Sequence, residues 1–451
     1  MKKIALLMIS IISLFTYNIN VFAKDTVYSL NKYNDEKLTI IDKSYNSKQK
    51  TDGFVVAGTY NKKDDNGKKQ SNVIYAKMDT YGNTSWVHSY KSANAVSSNI
   101  SNVLYLYDEE NKITGYSLVI SFKDSNDIEK NIFLKIDLNG KVIEEKASSL
   151  DENILIKKLI HINNEGYIGI ANSNEKAYLI RYDKDFNLIY KKEYQEDNIS
   201  FSAYQDIIQI HKDNNIIGYA TIVNIKKDNS SQIKLINNDL DGNIINTIKD
   251  NFEANSNPKL EMSDDGFIVY GITNELKLTN NKSTSYFINT YNSELEEVND
   301  SVGSTPIAKD KVLKLLPVIE DNKIKEYLLL YINDVDSSIE VIKINMDGLE
   351  NSKIKKINNT YYNISNFNTN NNILYIIGQI NCPEDDDCDY NNNSLFLISD
   401  QDKVIEVKQS DNRNIIIGTC IFVGLIILLI VLVRMYKKIK NSKFLYKWEI
   451  C

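Results

Sequence analysis

Short apolar runs separated by polar turns recur along most of the chain. In the first copy, a turn at Asp52-Gly53 enters the run Phe54–Gly58, a second run spans Val73–Met78, and the turn Asp79–Asn83 leads into Thr84–Tyr90. Runs of this length that alternate or are wholly apolar, and that are rich in Ile, Val, Tyr and Leu, are typical of β-strands. The pattern therefore predicts an all-β domain.

The same order of runs and turns returns at a regular spacing. The residues that start the equivalent turns are 58, 46, 56, 52, 54 and 54 positions apart and mark seven units; they are Asp79, Asp137, Asp183, Asp239, Tyr291, Asn345 and Ser399. In the clearest copies an Asp side chain caps the turn, and a Gly three positions later accepts a positive φ without a Cβ clash. A further apolar stretch before each unit predicts a fourth strand. These stretches are Leu38–Ile41, Val103–Tyr107, Ile154–Ile162, Ile207–His211, Pro258–Met262, Val312–Ile319 and Ile364–Phe367.

A unit of four antiparallel strands cannot bury both of its faces alone. Units that stack around an axis bury face against face, and a closed ring leaves no exposed end. We therefore predict a seven-bladed β-propeller of four-stranded antiparallel blades over residues 24–408. An open β-solenoid would use shorter repeats. Serial β-sandwiches would need Pro-, Gly- or Ser-rich linkers, which the sequence does not contain.

The first 23 residues have the pattern of a secretory signal peptide. Met1-Lys2-Lys3 is followed by an apolar run, and Val21-Phe22-Ala23 places small residues at the −3 and −1 positions, so we predict cleavage after Ala23. The alternative is a retained N-terminal anchor. An anchor would need an apolar run of ~20 residues, and this run is shorter.

Residues 415–433 contain no charged side chain and are followed by six basic ones. An apolar segment of this length crosses a bilayer as a helix, and basic residues stay on the cytoplasmic side. We predict a short linker at 409–414, a single C-terminal transmembrane helix at 415–433 and a basic cytoplasmic tail at 434–451. A buried core helix, the alternative, does not explain the one-sided charge. The propeller would then lie outside the cell membrane, with the C-terminus in the cytoplasm.

Charge limits the classes of partner. The whole chain carries −7; with +5 in the tail and +2 in the signal peptide, the outer region carries −14. This balance argues against nucleic acid as a partner. Because the linker is short, the propeller would lie close to the bilayer, and we expect a protein or an envelope glycan there as its partner.

A cluster of carboxylates lies in the seventh unit, at Asp385, Asp386, Asp387 and Asp389. Carboxylate oxygens are ligands that calcium prefers, which makes Asp385, Asp387 and Asp389 weak candidates for a metal site. The positions at which an EF-hand needs Gly and Glu are Tyr390 and Phe396. A solvated acidic loop is therefore the favoured interpretation, and we predict no metal and no cofactor.

Cys382 and Cys388 are the two cysteines of the outer region. An oxidising exterior would allow a disulfide between them. Two thiols without a nearby His do not indicate a zinc site.

The sequence predicts no catalytic residue. His88, His161 and His211 lie among ordinary strand residues, which favours packing roles. The pair Asp264-Asp265 has the chemistry of glycosidase carboxylates, but Asp-Gly before a strand is also ordinary turn chemistry. The motifs of serine hydrolases, nucleotide phosphate loops, zinc proteases and dinucleotide sites are missing. A binding module is therefore favoured over an enzyme.

The repeat resembles a known family. Its unit, G-[FY]-[IV]-x-x-G followed by L-x-K-x-D-x-x-G-N-x-x-W, resembles the repeats of bacterial secreted β-propeller proteins, the SBBP-like and PQQ-like group. Gly53–Gly58 and Asp79–Trp86 match best, and the resemblance covers residues 38–408. It implies seven degenerate propeller repeats. Tryptophan docking, quinone binding and calcium binding do not carry over from the family to this sequence.

The connections between second and third strands vary in length and share one face of the predicted propeller. Variable loops on a rigid scaffold often carry binding sites. We predict a binding or scaffolding module for a membrane or cell-envelope partner. The alternatives are a recognition domain for cell-wall glycan or a small ligand, and a propeller-type hydrolase. The connections are Asn61–Ser71, Phe122–Glu129, Asn172–Glu175, Asn224–Ser231, Asn274–Ser283, Asn333–Ser337 and Asn381–Asn393.

Overall fold

A computed structural model describes residues 26–400 of the chain, apart from gaps. The gaps are residues 31, 34, 64–66, 68, 93–94, 163–164, 214, 251, 254–255, 274–284, 303–306, 308–313, 321–322, 334, 346–349, 358–361, 371–372 and 381–393. The predicted signal peptide, linker, transmembrane helix and tail all lie outside the described residues.

Every helix or strand found in the described ranges is a β-strand. The first ten are β1 (Thr26–Tyr28), β2 (Lys37–Tyr45), β3 (Thr51–Lys63), β4 (Lys69–Met78), β5 (Thr84–Tyr90), β6 (Ala95–Tyr107), β7 (Ile113–Asp124), β8 (Glu129–Asp137), β9 (Val142–Ala147) and β10 (Leu155–Ile162). The next nine are β11 (Gly166–Asn172), β12 (Ala177–Tyr182), β13 (Leu188–Glu193), β14 (Ile199–Lys212), β15 (Asn215–Lys227), β16 (Ser230–Asn238), β17 (Ile244–Lys249), β18 (Lys259–Met262) and β19 (Phe267–Thr273). The last nine are β20 (Ser285–Tyr291), β21 (Glu297–Val302), β22 (Lys314–Glu320), β23 (Lys323–Ile332), β24 (Ile339–Ile344), β25 (Glu350–Ile357), β26 (Tyr362–Asn370), β27 (Ile373–Ile380) and β28 (Ser394–Asp400).

The prediction of an all-β propeller is confirmed. Strands that follow one another in sequence pair antiparallel, and the sheets are arranged around a common axis. The strands nearest the axis, which we call the inner strands, are β2, β6, β10, β14, β18, β22 and β26. Each inner strand packs against the next one, and β26 packs against β2, so the ring is closed.

The prediction of seven separate four-stranded blades is wrong. The described strands form five four-stranded blades and one eight-stranded sheet, β2 to β9. The larger sheet arises because β4 and β6 lie side by side in parallel, with Ser71 paired to Ser97, which joins β2–β5 to β6–β9. The described ranges also hold no helix with the length and apolarity of a membrane span. Residues 415–433, predicted for that role, are not among them.

The first described strand completes the last blade. β1 pairs antiparallel with β28 in the order β1-β28-β27-β26, with Thr26 opposite Ile398. The N–H of Leu30 donates to the Ser394 hydroxyl at 2.9 Å, and this hydroxyl donates to the buried Glu36 carboxylate at 2.8 Å. These bonds fix the beginning of the described chain to its end.

A buried aromatic residue near the start of each second strand organises the core. Its members are all 3% exposed or less; they are Phe54, Tyr116, Tyr167, Tyr219, Phe267, Tyr327 and Tyr375. Some of them also link blades, since the Tyr167 hydroxyl donates to the Tyr105 carbonyl oxygen at 3.1 Å. The residue before the aromatic is often Gly, because the third strand crosses closely there. At Gly115, an added Cβ would lie 2.1 Å from the Ile136 carbonyl oxygen.

The first five turns between third and fourth strands, which lie in described residues, share one geometry. At Asp183, the carboxylate accepts hydrogen bonds from the backbone N–H groups of Asp185 and Asn187, each at 2.8 Å. Burial raises the pKa of Asp183, but the hydrogen bonds outweigh it and hold the pKa below its ordinary value. The predicted capping role of this Asp is therefore confirmed.

The fifth of these turns starts at Asn292, and the prediction of Tyr291 is wrong. The Asn292 side-chain oxygen accepts from the N–H groups of Glu294 at 3.0 Å and Glu296 at 2.9 Å. Leu295 takes the place of the turn Gly and adopts a φ of 69°. The glycine signal is therefore absent from the sequence although the turn is the same.

Aromatic residues in outer strands pack on the turn of the next unit. The indole of Trp86 lies so close to Gly140 that an added Cβ would be 2.7 Å from the ring, and its N–H donates to the Leu138 carbonyl oxygen at 3.2 Å. Tyr190 packs on Gly242 in the same way. Trp86 and Tyr190 therefore link the outer strands of neighbouring units.

Candidate functional site

Five of the inner strands contain a β-bulge three or four residues before the position that pairs with the core aromatic. A bulge inserts one unpaired residue into a strand and turns the following side chain toward a new direction. The unpaired residues are all polar; they are Thr39, Ser101, Lys157, Gln205 and Ser365. The bulges therefore set which side chains of the inner strands face the axis.

Five consecutive inner strands, β6 to β22, carry a polar side chain at one register position. This position is three residues before the one that pairs with the core aromatic. Its members are Asn102, Lys158, Asp206, Lys259 and Lys314. Asp42 and Glu261 occupy a second shared position, next to the residue that pairs with the aromatic. We call the six charged members of these two positions, Asp42, Lys158, Asp206, Lys259, Glu261 and Lys314, the axial cluster.

Part of the axial cluster holds neighbouring blades together. The Lys158 ammonium lies 2.6 Å from one Asp206 oxygen, and the other Asp206 oxygen accepts the N–H of Leu260 at 2.8 Å. The Lys314 ammonium donates to the Asn366 side-chain oxygen at 2.5 Å and to a backbone carbonyl. These contacts bridge successive inner strands and fix the charged groups in position.

The remaining acidic groups have few partners. Among the described residues, no hydrogen bond or ion pair reaches the Asp42 carboxylate. Glu261 accepts one hydrogen bond, from the adjacent N–H of Met262 at 3.0 Å. Both carboxylates therefore retain acceptor capacity toward the axis.

Burial shifts the pKa values of this group. It raises the pKa of Asp42 to about 6, although the attraction of Lys314 acts to lower it. It lowers the pKa of Lys314 to about 8, although Asp42 and Glu261 act to raise it. Burial also raises the pKa of Glu261 and lowers that of Lys259. Half-buried charged groups with shifted pKa values are typical of ligand-binding and catalytic sites.

The sequence analysis did not predict the axial cluster. Each member is a polar residue inside or beside an apolar run, as in Ile40-Ile41-Asp42. That pattern also fits a strand with one solvent-facing side chain, so only the ring arrangement shows that the polar residues meet. The available signal was the presence of charged residues at equivalent positions of successive inner strands.

The predicted metal and disulfide residues lie outside the described residues. This applies to Asp385, Asp387 and Asp389, and to Cys382 and Cys388. In the described ranges, no group of three or more His, Cys, Asp or Glu side chains has an arrangement that could hold a metal ion.

The three histidines lie in strands and contact aromatic or polar neighbours. The ring of His161 lies 4.6 Å from that of Tyr107, and the ring of His88 lies 5.6 Å from that of Trp86. His211 Nε2 lies 3.1 Å from the Gln209 side-chain oxygen.

The suggested glycosidase carboxylate Asp264 has a structural contact. Both of its oxygens accept the N–H of Ile324, at 3.0 and 3.1 Å, which links two blades.

Strands also extend into several predicted loops. The connection Asn224–Ser231 is reduced to the turn residues Asp228 and Asn229, which adopt φ values of 48° and 65°.

The chain is similar to solved structures at low identity. A putative 6-phosphogluconolactonase from Bacteroides fragilis is 13% identical with a TM-score of 0.43, over 77% of this chain and 90% of that chain. The β-propeller domain of the Trilobed protease from Pyrococcus furiosus is 13% identical with a TM-score of 0.39, over 83% and 100%. The WD40 domain of SCAP from fission yeast is 10% identical with a TM-score of 0.40, over 84% and 99%. No family model and no curated protein matches.

Proposed function

We propose that this protein is a binding module at the outer side of a membrane, and that the axial cluster binds a small ligand with charges of both signs. The observation that supports the proposal is the meeting of carboxylates and ammonium groups from different blades around one axis. Asp42 and Glu261 supply the negative side, and Lys259 and Lys314 supply the positive side.

The state of these charges favours a ligand that is itself zwitterionic. Taking a charge out of water is costly unless a partner replaces the lost hydration. A ligand ammonium beside Asp42 and a ligand carboxylate beside Lys314 would supply that replacement on both sides. A free α-amino acid carries both groups within a short distance, and we take it as the simplest ligand class.

Calorimetric titration of the full-length protein in detergent with the twenty free amino acids tests this function. We expect saturable binding of at least one amino acid. Asp42→Asn and Lys314→Met should each weaken it by about tenfold to a hundredfold, because each removes a charged hydrogen-bond partner. Asp300→Asn, which changes an exposed carboxylate in the outer strand β21, should bind as the wild type does.

Two results would contradict the proposal. One is the absence of binding across the whole panel at millimolar concentration. The other is unchanged affinity in both axial variants when their thermal unfolding shows that they are folded.

The membrane location is part of the proposal and is tested through the cysteines. A membrane-impermeant maleimide should label Cys382 and Cys388 in intact cells once they are reduced. Cys451 should react only after the cells are permeabilised. Labelling of Cys451 in intact cells would place the C-terminus outside and reject the proposed orientation.

We also propose a partner close to the bilayer. We further propose that the repeats are related to those of the SBBP-like and PQQ-like propeller proteins. Crosslinking in cells followed by identification of the crosslinked species tests for a protein or an envelope glycan partner. Recovery of cytoplasmic partners alone would reject an extracytoplasmic scaffold.

A further inference from the structure

The junction between the two halves of the eight-stranded sheet opens into a cleft of about 390 Å³. We call it the hydroxyl cleft; its lining includes Ser71, Ser97, Asn99, Ser121, Phe122 and Leu155. Its volume lies within the range of about 300–1,000 Å³ that is usual for small-molecule sites. None of these residues belongs to the axial cluster.

The cleft exists because β4 and β6 meet in parallel. Ser71 pairs with Ser97 there, and the Ser71 hydroxyl donates to the Ser98 carbonyl oxygen at 3.2 Å. Of the strand pairs formed by described residues, this is the parallel one; the others are antiparallel. The lining of the cleft therefore belongs to this junction and does not recur at the other junctions between described blades.

Most of the lining groups are neutral hydrogen-bonding side chains. Hydroxyls donate and accept equally well, and an Asn side chain offers one acceptor and two donors. The two charged members, Lys123 and Glu129, have opposite signs and lie opposite each other in the pairing of β7 with β8. The cleft thus offers many neutral donors and acceptors and little net charge to an incoming molecule.

Ser97 and Asn99 are exposed members of the lining, whereas the side-chain oxygen of Ser98 between them is buried. Because alternate side chains of a strand lie on opposite faces, Ser97 and Asn99 are the polar groups of β6 that an incoming molecule can reach. Phe122 and Leu155 add apolar surface beside the hydroxyls.

From these contacts we infer that the hydroxyl cleft binds a neutral saccharide of one or two sugar rings. A sugar combines hydroxyls, which match the Ser, Thr and Asn groups, with C–H faces, which match Phe122 and Leu155. It carries no charge that the cleft would have to balance. The site does not depend on the proposed amino-acid site at the axis.

Binding to the full-length protein is measured with glucose, N-acetylglucosamine and maltose as probes, by ligand-observed NMR and by calorimetry. We expect at least one probe to bind saturably. Asn99→Ala should weaken it at least fivefold without lowering the thermal unfolding temperature, because it removes an exposed hydrogen-bonding side chain of the cleft. Phe122→Ala should weaken it as well.

Matched controls separate the two sites. Ser230→Ala, at the start of the distant strand β16, and the axial variant Asp42→Asn should leave sugar binding unchanged. The inference is overturned if no probe binds, if Asn99→Ala binds as the wild type does, or if Asp42→Asn abolishes sugar binding while Asn99→Ala does not.

Discussion

A single carboxyl or amide side chain fixes each of the first five turns between third and fourth strands by accepting backbone hydrogen bonds. This role was predictable for Asp183, because an Asp at the start of a turn typically accepts hydrogen bonds from the backbone of that turn. It was not predictable at Asn292, where Leu295 adopts the left-handed conformation that Gly usually provides. Local sequence signals therefore identify a turn when both of its special residues are typical, and miss it when one is replaced.

Replacement of Asp183 by Ala should lower the free energy of unfolding by about 1–2 kcal/mol, because two backbone N–H groups lose their acceptor. Asp183→Asn keeps a side-chain oxygen at the same place and should cost less. Denaturant titration measures both changes. Asp185→Ala in the same turn is the control, since its side chain makes no hydrogen bond in the described structure. Equal losses in all three variants would contradict this account.

Ionisation of Asp42 should make stability depend on pH. Its pKa of about 6 in the folded protein lies above its ordinary value of 3.8, so the folded state holds the proton more tightly than the unfolded chain does. The free energy of unfolding should therefore fall as pH rises from about 4 to about 6, as far as this group is concerned.

Asp42→Asn should consequently raise the free energy of unfolding by about 1–2 kcal/mol at pH 7.5 and change it little at pH 4. Denaturant titrations at the two pH values measure the difference. Asp300→Asn, which removes an exposed carboxylate, is the control variant. A gain of equal size at both pH values would show that desolvation of the Asp42 charge is not its cause.

The inner strands were predictable as elements, but their bulges were not. Ile154–Ile162 and Ile207–His211 correctly mark β10 and β14. The unpaired residues Lys157 and Gln205 within or beside them look like any polar residue of an alternating strand. Because the bulges decide which side chains reach the axis, the axial cluster could not be derived from the strand pattern.

The close crossing of second and third strands should make Gly115 intolerant of a side chain. Gly115→Ala would place a Cβ 2.1 Å from the Ile136 carbonyl oxygen, and β7 and β8 would have to separate. We expect a loss of more than about 2 kcal/mol.

Thermal and denaturant unfolding of Gly115→Ala give this value. Gly67→Ala is the matched control: its φ of 77° disfavours Ala, but no atom lies within 4 Å of the added Cβ. It should cost about 1 kcal/mol. A smaller loss at Gly115 than at Gly67 would contradict a close backbone crossing.

At the scale of the whole molecule, the closed ring could be predicted from the sequence, but the number of separate sheets could not. The closed propeller followed from the repeat, because identical units with two apolar faces must cover each other. The prediction of seven separate sheets is wrong, because the parallel pairing of Ser71 with Ser97 joins two units into one sheet. The strand β1, only Thr26–Tyr28, is too short for any periodicity and was missed although it closes the ring.

Ser394→Ala should loosen this closure. It removes the acceptor for the Leu30 N–H and one donor to the buried Glu36 carboxylate. We expect amide hydrogens of β1 and β28 to exchange at least tenfold faster, while those of β15 and β16 do not change.

Ser202→Ala is the matched control, because it removes a similar buried contact, the acceptor for the Ala177 N–H at 3.0 Å. Its effect on exchange should stay near β12 and β14. Faster exchange throughout the molecule in both variants would mean that closure is not a local property of β1 and β28.

The pairing of β1 with β28 also sets the order in which the molecule can be completed. A ribosome synthesises Thr26–Tyr28 before all other described strands and Ser394–Asp400 after them. The nascent β1 must therefore wait, unpaired and with its hydrogen-bonding edge open, until almost the entire chain has been translated. A chaperone that protects this chain during synthesis would therefore have to cover the first strand for longer than any other described strand.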